Sequence, residues 1–208
     1  MFLSAASRES HWEQIYRQRA VDSVSWYQQS PTVSLELLDA VGARPDEPVL
    51  DVGSGASVLV DALLDRGFSD LSVLDVSASA LDLSRSRLGV RAGTVHWHTA
   101  DVLEWRPERH YSLWHDRAVF HFLTQASERE RYVSTLKSAL RPGARVVVGT
   151  FSVDGPEKCS GLPVQRYDAD GLAGTFGDAF ELLEQRREEH HTPRDAIQVF
   201  TWVAMRLR

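Results

Sequence analysis

An apolar segment that ends in a turn with two closely spaced glycines constrains this chain more than any other feature. The segment is residues 49–57, Val-Leu-Asp-Val-Gly-Ser-Gly-Ala-Ser. Its first four residues are typical of a buried strand in a parallel sheet. Gly53 and Gly55 allow the backbone to turn sharply and to approach a ligand closely. The pattern of residues 56–64 predicts a helix directly afterwards, and a strand, a glycine turn and a helix start together indicate a nucleotide-type binding site.

Two more acids follow at the ends of the next two predicted strands. Residues 71–75 end on Asp75, which lies 20 positions after Gly55. That spacing is typical of an acid that accepts hydrogen bonds from ribose hydroxyls. Residues 94–98 form a third run, which leads to Asp101. Because the carboxyl ends of parallel strands meet at one edge of a sheet, these acids and the glycine turn are expected to form a single site.

These features resemble the class I S-adenosylmethionine-dependent methyltransferases. The first motif of that family is an acid followed by Gly-x-Gly-x-Gly, and residues 51–57 match it with Ser57 in place of the third glycine. The resemblance covers residues 48–150 strongly and implies S-adenosylmethionine as cofactor and S-adenosylhomocysteine as product. It places the ribose on Asp75 and the adenine on Asp101. The cofactor residues implied here are Asp51, Gly53, Ser54, Gly55, Asp75, Val76, Asp101 and Val102.

Other interpretations of the same stretch remain. A dinucleotide-dependent dehydrogenase would normally keep the third glycine for helix–strand packing and would need a longer chain for a substrate domain. Both points favour the methyltransferase. An ordinary strand–turn–helix that carries acids by chance is the structural alternative.

The resemblance also implies the fold class. It is an α/β, Rossmann-like three-layer sandwich with a mostly parallel seven-strand sheet and the last strand antiparallel. We expect a single methyltransferase domain over residues 1–208, with an N-terminal helical lid (1–45), a cofactor-binding core (48–151) and a substrate-side loop with the final strands (152–208). The residue pattern itself predicts helices at 7–19, 31–41 and 127–140, and two final paired strands at 180–188 and 196–207.

Composition limits the function classes. The chain has 208 residues, 43% of them hydrophobic and 25% charged, with a net charge of −6. It has no basic tail or cluster, so we expect no nucleic-acid substrate. No 18-residue apolar stretch predicts a membrane span, and the N-terminal apolar run is too short for a secretory signal. The single cysteine, Cys159, cannot form an internal disulfide, so a cytoplasmic location is expected.

The segment after the predicted fourth strand holds the candidate catalytic residues Asp116, Arg117 and His121. It resembles the Asp-Arg-Gly-Ala-Leu stretch of thiopurine-type methyltransferases and the Asp-Lys-Gly-Thr-Leu stretch of protein-lysine methyltransferases that act on elongation factors. That resemblance implies that the segment closes over the cofactor, with Asp116 touching it, and borders the substrate. His121 is a candidate general base. The alternatives are that Asp116 caps the next helix, that Arg117 pairs with an acid and that His121 is packed.

Aromatic residues near the N-terminus form a third candidate group. The pattern Trp12…Tyr16…Trp26-Tyr27 resembles the start of both families, where aromatic side chains fold over the methionine end of the cofactor. The cofactor candidates here are Tyr16, Arg19 and Trp26. An aromatic lid suits a sulfonium because cations bind favourably against π faces. The alternative is a helix that only packs on the sheet.

A metal site is not expected. Cys159, His190 and His191 would have to supply it, but their spacing fits no compact zinc pattern, and adjacent residues on a strand point apart. Methyl transfer requires no metal in principle.

The methyl acceptor stays open at this point. A small-molecule nucleophile is the first hypothesis, and it predicts a closed aromatic pocket under the N-terminal helix. A protein lysine is the second, and it predicts an open acidic groove near Asp116. A non-catalytic protein that binds S-adenosylmethionine is the third. The sequence indicates no oligomeric state.

Overall fold

The computed structural model describes residues 4–208, so the first three residues of the predicted lid lie outside the described part. A seven-stranded sheet lies between helices and runs through the predicted core and the C-terminal segment. Its strands are β1 (Val49–Val52), β2 (Leu71–Asp75), β3 (Val95–Thr99), β4 (Tyr111–Arg117), β5 (Leu140–Phe151), β8 (Phe180–His191) and β9 (Ile197–Leu207). Two short strands, β6 (Lys158–Cys159) and β7 (Leu162–Pro163), form a separate hairpin.

Helices flank the sheet. Two of them precede β1 in the chain, and the others lie between successive strands. The helices are α1 (Ala5–Gln18), α2 (Thr32–Ala40), α3 (Leu59–Asp65), α4 (Ala78–Leu88), α5 (Ala126–Ala139) and α6 (Ala169–Phe176). Short 3-10 turns lie at Val21–Ser23, Gly89–Thr94 and Phe120–Phe122. None of the helices in the described residues is long and apolar enough to cross a membrane.

The strand order is β3-β2-β1-β4-β5-β9-β8. The first five strands are parallel, and β9 is inserted antiparallel between β5 and β8. The predicted fold is therefore confirmed. The chain winds outward from β1 to β3 and then continues from β4 on the other side of β1. In open α/β sheets ligands bind at such a switch point, beyond the carboxyl ends of the strands, which here means between β1 and β4.

Alternation along β4 shows how the sheet separates two apolar cores. Leu113 belongs to the cluster that contains Leu37, Leu59 and Trp202, whereas the next residue, Trp114, packs in the cluster of the opposite face. Successive side chains of a strand point to opposite faces, so a strand that is covered on both sides is apolar almost throughout. The two cores hold the sheet rigid and fix the positions of the strand ends.

The structure corrects several predicted boundaries. Helix α1 begins earlier than expected, and Ser4 caps it by accepting a hydrogen bond from the backbone N–H of Ser7 at 3.2 Å. Helix α5 begins at Ala126, one residue before the predicted start, and Glu128 accepts from the Gln125 N–H at 3.3 Å. Several side chains near a helix start can cap it, and local pattern alone does not choose between them.

Two further boundaries differ. The predicted helix at 56–64 starts only at Leu59, because the residues before it remain in the glycine turn. Strand β4 continues through Arg117. Arg117 is the last residue of that strand, and His121 lies in the 3-10 turn that follows it.

Candidate functional site

Three acids stand at the carboxyl ends of neighbouring strands. Asp51 lies in β1, Asp75 ends β2 and Asp101 follows β3. The register pairs Asp51 with Val73 of β2 on one side and with His115 of β4 on the other. All three acids lie at the edge of the sheet where a ligand is expected, so the structure brings the predicted acids together.

The glycine turn needs its glycines for both conformation and space. Gly53 and Gly55 have φ values of +65° and +52°. A Cβ on Gly53 would meet Val119 Cγ2 at 1.9 Å, and a Cβ on Gly55 would meet Tyr16 Oη at 2.3 Å. These turn positions accept no side chain while the parts around them are packed as they are.

Asp75 is held in place by the backbone around it. Its Oδ2 accepts from the Gly55 N–H at 2.8 Å and its Oδ1 from the Ser77 N–H at 2.8 Å. Burial raises the pKa of Asp75 to about 6 even though both N–H donors favour the charged form. The carboxylate is oriented before any ligand binds, with one lone pair of each oxygen already used.

Asp101 is joined to the N-terminal helix. Its Oδ1 accepts from the Leu103 N–H at 2.9 Å, and its Oδ2 accepts from Arg8 Nε at 2.7 Å. Arg8 also donates to Glu128 Oε1 at 3.1 Å. Nothing in the sequence analysis singled out Arg8, because an arginine near a chain start carries no motif signal. The acid predicted to contact adenine is therefore an anchor for α1 in this structure.

The start of α4 provides a second anchor for α1. Glu13 accepts from the Ser79 N–H at 2.9 Å and from Ser77 Oγ at 3.1 Å. A carboxylate is favourable at a helix N-terminus, where free N–H groups and the helix dipole attract negative charge. Together with the Arg8 pairs, this contact fixes α1 across the strand ends.

Aromatic side chains from the lid cover the site. Trp12 lies edge-on to Trp26 and to Phe122, with ring centroids 5.7 and 5.2 Å apart. Trp26 Nε1 donates to Tyr16 Oη at 3.3 Å. Burial raises the pKa of Tyr16 above its usual range, so the phenol stays protonated. The predicted aromatic lid thus has Tyr16 and Trp26 over the glycine turn, and Phe122 joins it from the segment after β4.

Two cavities lie under this lid. The larger has a volume of about 110 Å³, and it is lined by Arg8, Trp12, Tyr16, Trp26, Val52, Gly53, Leu74, Asp75, Val76, Ala100, Asp101, Val102, Arg117, Ala118, Val119, Phe122, Leu123 and Cys159. The smaller has a volume of about 50 Å³ and is lined by Tyr16, Val21, Val24, Trp26, Tyr27, Gln28, Ser34, Asp51, Gly53, Ser54, Ala56, Ser57, Val58, His115 and Arg117. Most predicted cofactor residues therefore face one of these two spaces.

Arg19 is an exception among the predicted cofactor residues. It follows the end of α1, is exposed, and borders a separate small cavity with Ser23 and Arg194. Helix α1 ends at Gln18, and the chain turns away there. The structure does not bring Arg19 to the strand ends, which argues against its predicted contact with the cofactor.

Asp116 is placed as a structural cap. It is fully buried, and its Oδ1 accepts from the Val119 N–H at 3.0 Å while its Oδ2 accepts from Tyr132 Oη at 2.5 Å. Burial raises its pKa to about 6. It lines neither cavity, so its placement argues against the predicted catalytic and cofactor roles and favours the capping alternative.

Arg117 does reach the site, where it lines both cavities. Its Nη1 donates to the backbone oxygen of Trp26 at 3.0 Å. The next residue, Ala118, has a φ of +70°, a left-handed conformation at the position where both resembled motifs carry glycine. This turn leads the chain out of β4 and brings Val119 beside Gly53.

His121 is buried behind the site. Its Nδ1 accepts from the Phe151 N–H at 3.3 Å, and its ring lies 4.6 Å from the Phe151 ring. Burial, reinforced by the charge of Arg117, lowers the pKa of His121 to about 3. A histidine with such a pKa is a weak base, and His121 lines neither cavity. The packed alternative describes its placement.

A buried chain of polar groups was not predicted. His115 Nδ1 lies 2.7 Å from Asp51 Oδ1, and His115 Nε2 lies 2.9 Å from Ser34 Oγ. The second oxygen of Asp51 and Ser54 Oγ are buried without a partner in the described structure. Both residues line the smaller cavity, which therefore offers polar groups to a ligand. In the sequence, the sign of these buried hydrogen bonds is the polar residue at position 115 within an otherwise apolar strand.

Metal binding has no visible support. Among residues 4–208, no group of three or more His, Cys, Asp or Glu side chains could hold a metal ion. Cys159 is a buried free thiol, and burial raises its pKa to about 11.

Comparison with known proteins accounts for this geometry. Residues 49–143 match the family model described as a methyltransferase domain. Residues 49–143 of this chain therefore carry a methyltransferase domain. The matched residues of the methyltransferase domain run from β1 into β5 and contain the glycine turn and all three strand-end acids.

Solved structures share the fold of the methyltransferase domain. A SAM-dependent methyltransferase from Anabaena variabilis has a TM-score of 0.76 at 16% identity, with 98% of this chain and 95% of that chain covered. The N-methyltransferase NodS from Bradyrhizobium japonicum, in complex with S-adenosyl-L-homocysteine, has a TM-score of 0.73 at 15% identity, with 95% and 98% covered. At these identities the likeness concerns the fold.

Curated relatives of the methyltransferase domain act on different acceptors. Trans-aconitate 2-methyltransferase from Pseudomonas paraeruginosa is 32% identical over 136 residues, which are 65% of this chain and 44% of that protein. EEF1A lysine methyltransferase 2 from Mus musculus is 24% identical over 199 residues, which are 88% of this chain and 75% of that protein. The chain spans 44% and 60% of the lengths of the two trans-aconitate methyltransferases that it matches.

The chemistry of the site fits the cofactor of this methyltransferase class. Asp75 is oriented for hydroxyl donors, and Asp51 and Ser54 keep polar atoms without partners beside the glycine turn. Apolar residues, Val52, Val102 and Val119 among them, line the larger cavity, as a purine requires.

Proposed function

We propose that this chain transfers a methyl group from S-adenosylmethionine to a small-molecule nucleophile. The observation that carries the proposal is the aromatic cavity beneath α1. This cavity extends from Asp75 and Asp101 on one side to Arg117 on the other. It is roofed by Trp12, Trp26 and Phe122.

The cofactor would be held by residues of the strand ends and the lid. Asp75 would accept hydrogen bonds from the ribose hydroxyls, and Asp101 with Val102 would border the adenine. The polar end would lie beside the turn from Gly53 to Gly55, where Asp51 keeps one oxygen without a partner. Arg8 and the Leu103 N–H each occupy one oxygen of Asp101, so a ligand would use the lone pairs that remain on that carboxylate.

The bound cofactor supplies an electrophilic methyl group on a sulfonium, and attack by a lone pair on the acceptor forms the new bond while the C–S electron pair stays on sulfur. The lid residues Trp12, Tyr16 and Trp26 exclude water and present π faces to a positive charge. Among the described residues, the histidine that lines one of the two cavities is His115, and both of its ring nitrogens are already engaged, by Asp51 and Ser34. This favours an acceptor whose nucleophile arrives already deprotonated, because a general base is needed only for a protonated nucleophile.

The relatives support both candidate acceptor classes. The trans-aconitate methyltransferases favour a small molecule. The murine lysine methyltransferases favour a protein lysine, and one of them aligns with most of this chain. The lysine hypothesis requires an open acidic groove near Asp116, yet the carboxylate of Asp116 is fully buried and engaged with Tyr132 and Val119. We therefore keep the lysine as the second candidate. Cytoplasmic location belongs to the same proposal.

Label transfer tests the proposal directly. The protein is incubated with methyl-labelled S-adenosylmethionine and a cell extract that has been separated by size, together with pure trans-aconitate as a defined acceptor. We expect label in the small-molecule fraction. Label found only in the protein fraction would establish the lysine alternative instead. Tight cofactor binding without label in any fraction would indicate a non-catalytic binding protein.

A matched pair of variants shows whether transfer depends on this site. Asp75→Ala should abolish transfer and weaken S-adenosylhomocysteine binding measured by calorimetry. Asp82→Ala is the control, because Asp82 is exposed on α4 and pairs only with Arg85. An Asp75→Ala protein that binds the cofactor as tightly as the parent protein contradicts the assignment of this site.

A further inference from the structure

Arg117 has a buried guanidinium whose hydrogen bonds are incomplete. Its Nη1 donates to the Trp26 backbone oxygen, and its face lies 4.7 Å over the centroid of the Phe200 ring. Its Nε and Nη2 are buried and have no acceptor within residues 4–208. Buried polar groups in native proteins nearly always have a partner, so two free donors on one side chain point to a missing acceptor.

The two free donors form the geometry that binds a carboxylate. The N–H bonds of Nε and Nη2 run parallel along one edge of the planar guanidinium, and this edge matches the two oxygens of a carboxylate. The third nitrogen is the one already used by Trp26. Arg117 is thus held at one end by the lid connector and presents its intact bidentate edge.

Charge leads to the same conclusion. Among the described residues Arg117 forms no salt bridge, and Glu188, whose charge acts on it, has both oxygens engaged by Gln28 at 3.1 Å and Trp202 at 2.8 Å. Burial lowers the pKa of Arg117, yet a guanidinium remains charged. An unpaired buried cation is unfavourable, so an anion is expected to complete the site.

The site around Arg117 suits a carboxylate better than a phosphate. A phosphate offers three oxygens and needs further donors. Arg8, the guanidinium on the opposite wall of the larger cavity, is engaged with Asp101 and Glu128. The aromatic surfaces around Arg117 offer little else to a doubly charged group.

The position of Arg117 in the sheet indicates the source of the carboxylate. The acids assigned to the cofactor lie on β1, β2 and the end of β3. Arg117 lies beyond the switch point, on β4, and its neighbours Phe200 and Glu188 come from β9 and β8. Its guanidinium therefore packs against the half of the sheet that does not carry the cofactor motif, while it shares the smaller cavity with Asp51 and Ser54.

We propose that Arg117 binds a carboxylate of the methyl acceptor, which makes the acceptor a small organic acid. This inference rests on the proposed methyltransferase function and specifies its substrate class. Arg117 acts here as a binding residue that orients the acid beside the cofactor site.

The test measures binding and needs no turnover. S-adenosylhomocysteine is first bound to the protein, and calorimetry then follows titration with a panel of small acids (benzoate, succinate and trans-aconitate) and with their primary amides. At least one acid should bind ten times more tightly than its amide. In Arg117→Lys, which keeps the charge but loses the bidentate edge, that preference should fall to less than threefold. Arg91→Lys is the control, because Arg91 lies in a surface pair with Asp65.

A second ligand pair separates the two sources of carboxylate. The affinities of S-adenosylhomocysteine and of its decarboxylated analogue should both change by less than twofold in Arg117→Lys. A loss confined to S-adenosylhomocysteine would show that Arg117 binds the cofactor's own carboxylate, and this overturns the assignment to the acceptor. Failure of every acid to bind better than its amide also overturns it.

The failure of this inference is distinguishable from failure of the proposed function. If labelled methyl groups reach only acceptors that lack a carboxylate, the methyltransferase function stands and the acid-binding role of Arg117 is rejected. If S-adenosylhomocysteine itself does not bind to the parent protein, the proposed function fails first. Equal unfolding temperatures of the parent and Arg117→Lys proteins show that the variant is folded.

Discussion

Asp51 and His115 are hydrogen-bonded across the boundary between β1 and β4, with Oδ1 and Nδ1 2.7 Å apart in a fully buried position. This bond crosses the switch point of the sheet, where the ligand site opens. Ser34 of α2 continues it on the other ring nitrogen at 2.9 Å. The histidine therefore sets the orientation of Asp51 and, with it, the direction of the carboxylate oxygen that lacks a partner in the smaller cavity.

Removal of the His115 side chain should lower the stability of the fold. We expect His115→Phe to lower the free energy of unfolding by about 3 kcal/mol, because a buried carboxylate oxygen loses its donor. Urea unfolding measures this change. His96→Phe serves as the control on exposed β3, where we expect little change. A His115→Phe protein as stable as its parent would show that the bond contributes nothing.

Cofactor binding should depend on pH through Asp75. Ribose hydroxyls donate to the charged carboxylate, and the pKa of Asp75 is raised to about 6 by burial. The affinity for S-adenosylhomocysteine should therefore fall as pH falls through 6, by about tenfold between pH 7.5 and pH 5. Calorimetry at a series of pH values measures it.

The raised pKa of Asp75 affects folding stability in the opposite direction to cofactor affinity. A folded-state pKa above the unfolded value means that the folded protein binds more protons between about pH 4 and pH 6, so the free energy of unfolding falls as pH rises through this window. Asp75→Asn should remove the pH dependence of affinity. Asp116→Asn should leave it, because Asp116 has a similar pKa of about 6 but lines neither cavity.

Gly55 links the turn to the lid. In Gly55→Ala the new Cβ would lie 2.3 Å from Tyr16 Oη, so Tyr16 must move and the lid must open. We expect at least a tenfold loss of S-adenosylhomocysteine affinity, in addition to about 1–2 kcal/mol of strain from the positive φ. Gly67→Ala is the matched control, because Gly67 has a φ of +84° but meets nothing within 4 Å. If both variants keep full affinity, the close approach has no role in binding.

Arg8 should limit the opening of the lid. In Arg8→Ala, α1 loses its contacts with Asp101 and Glu128. We expect amide hydrogen exchange in α1 to become faster, and the association rate of S-adenosylhomocysteine to increase by about fivefold, which corresponds to roughly 1 kcal/mol for a partly exposed ion pair. Arg91→Ala removes a surface pair with Asp65 outside the lid and should change neither rate. An unchanged exchange rate in Arg8→Ala would mean that other contacts hold the helix.

Substitution of Ala118 by glycine should be less destabilising than the same substitution at an alanine within a helix. Its φ of +70° is unfavourable for a residue with a Cβ, at a cost of about 1 kcal/mol. Ala118→Gly should therefore leave the free energy of unfolding equal or higher. In α3, Ala62→Gly should lower it by about 1 kcal/mol, since glycine is a poor helix former. A comparable loss in both variants would contradict the assigned strain.

The strand-end acids and the glycine turn were predictable because they depend on local patterns. An apolar run that ends on an acid carries its meaning within a few residues, and the spacing from Gly55 to Asp75 reflects one strand–helix–strand unit. The family that these motifs resemble is confirmed, and so is the seven-strand sheet that the resemblance implied. The role of Asp116 was not predictable in this way, because an acid at the end of a strand can either face a ligand or cap the following turn.

The sequence by itself determined the first strands and the cofactor-type motif, because each depends on short-range periodicity and spacing. The class of enzyme and the seven-strand sheet followed from the family resemblance that this motif carries. Only the tertiary structure decided which side chains face the site. The way α1 lies across the strand ends directs Arg8 to Asp101 and leaves Arg19 exposed. The pairing of β4 with β1 joins His115 to Asp51, while the left-handed turn at Ala118 directs the chain beyond Arg117. These relationships connect residues far apart in the chain, and packing of the two cores sets them.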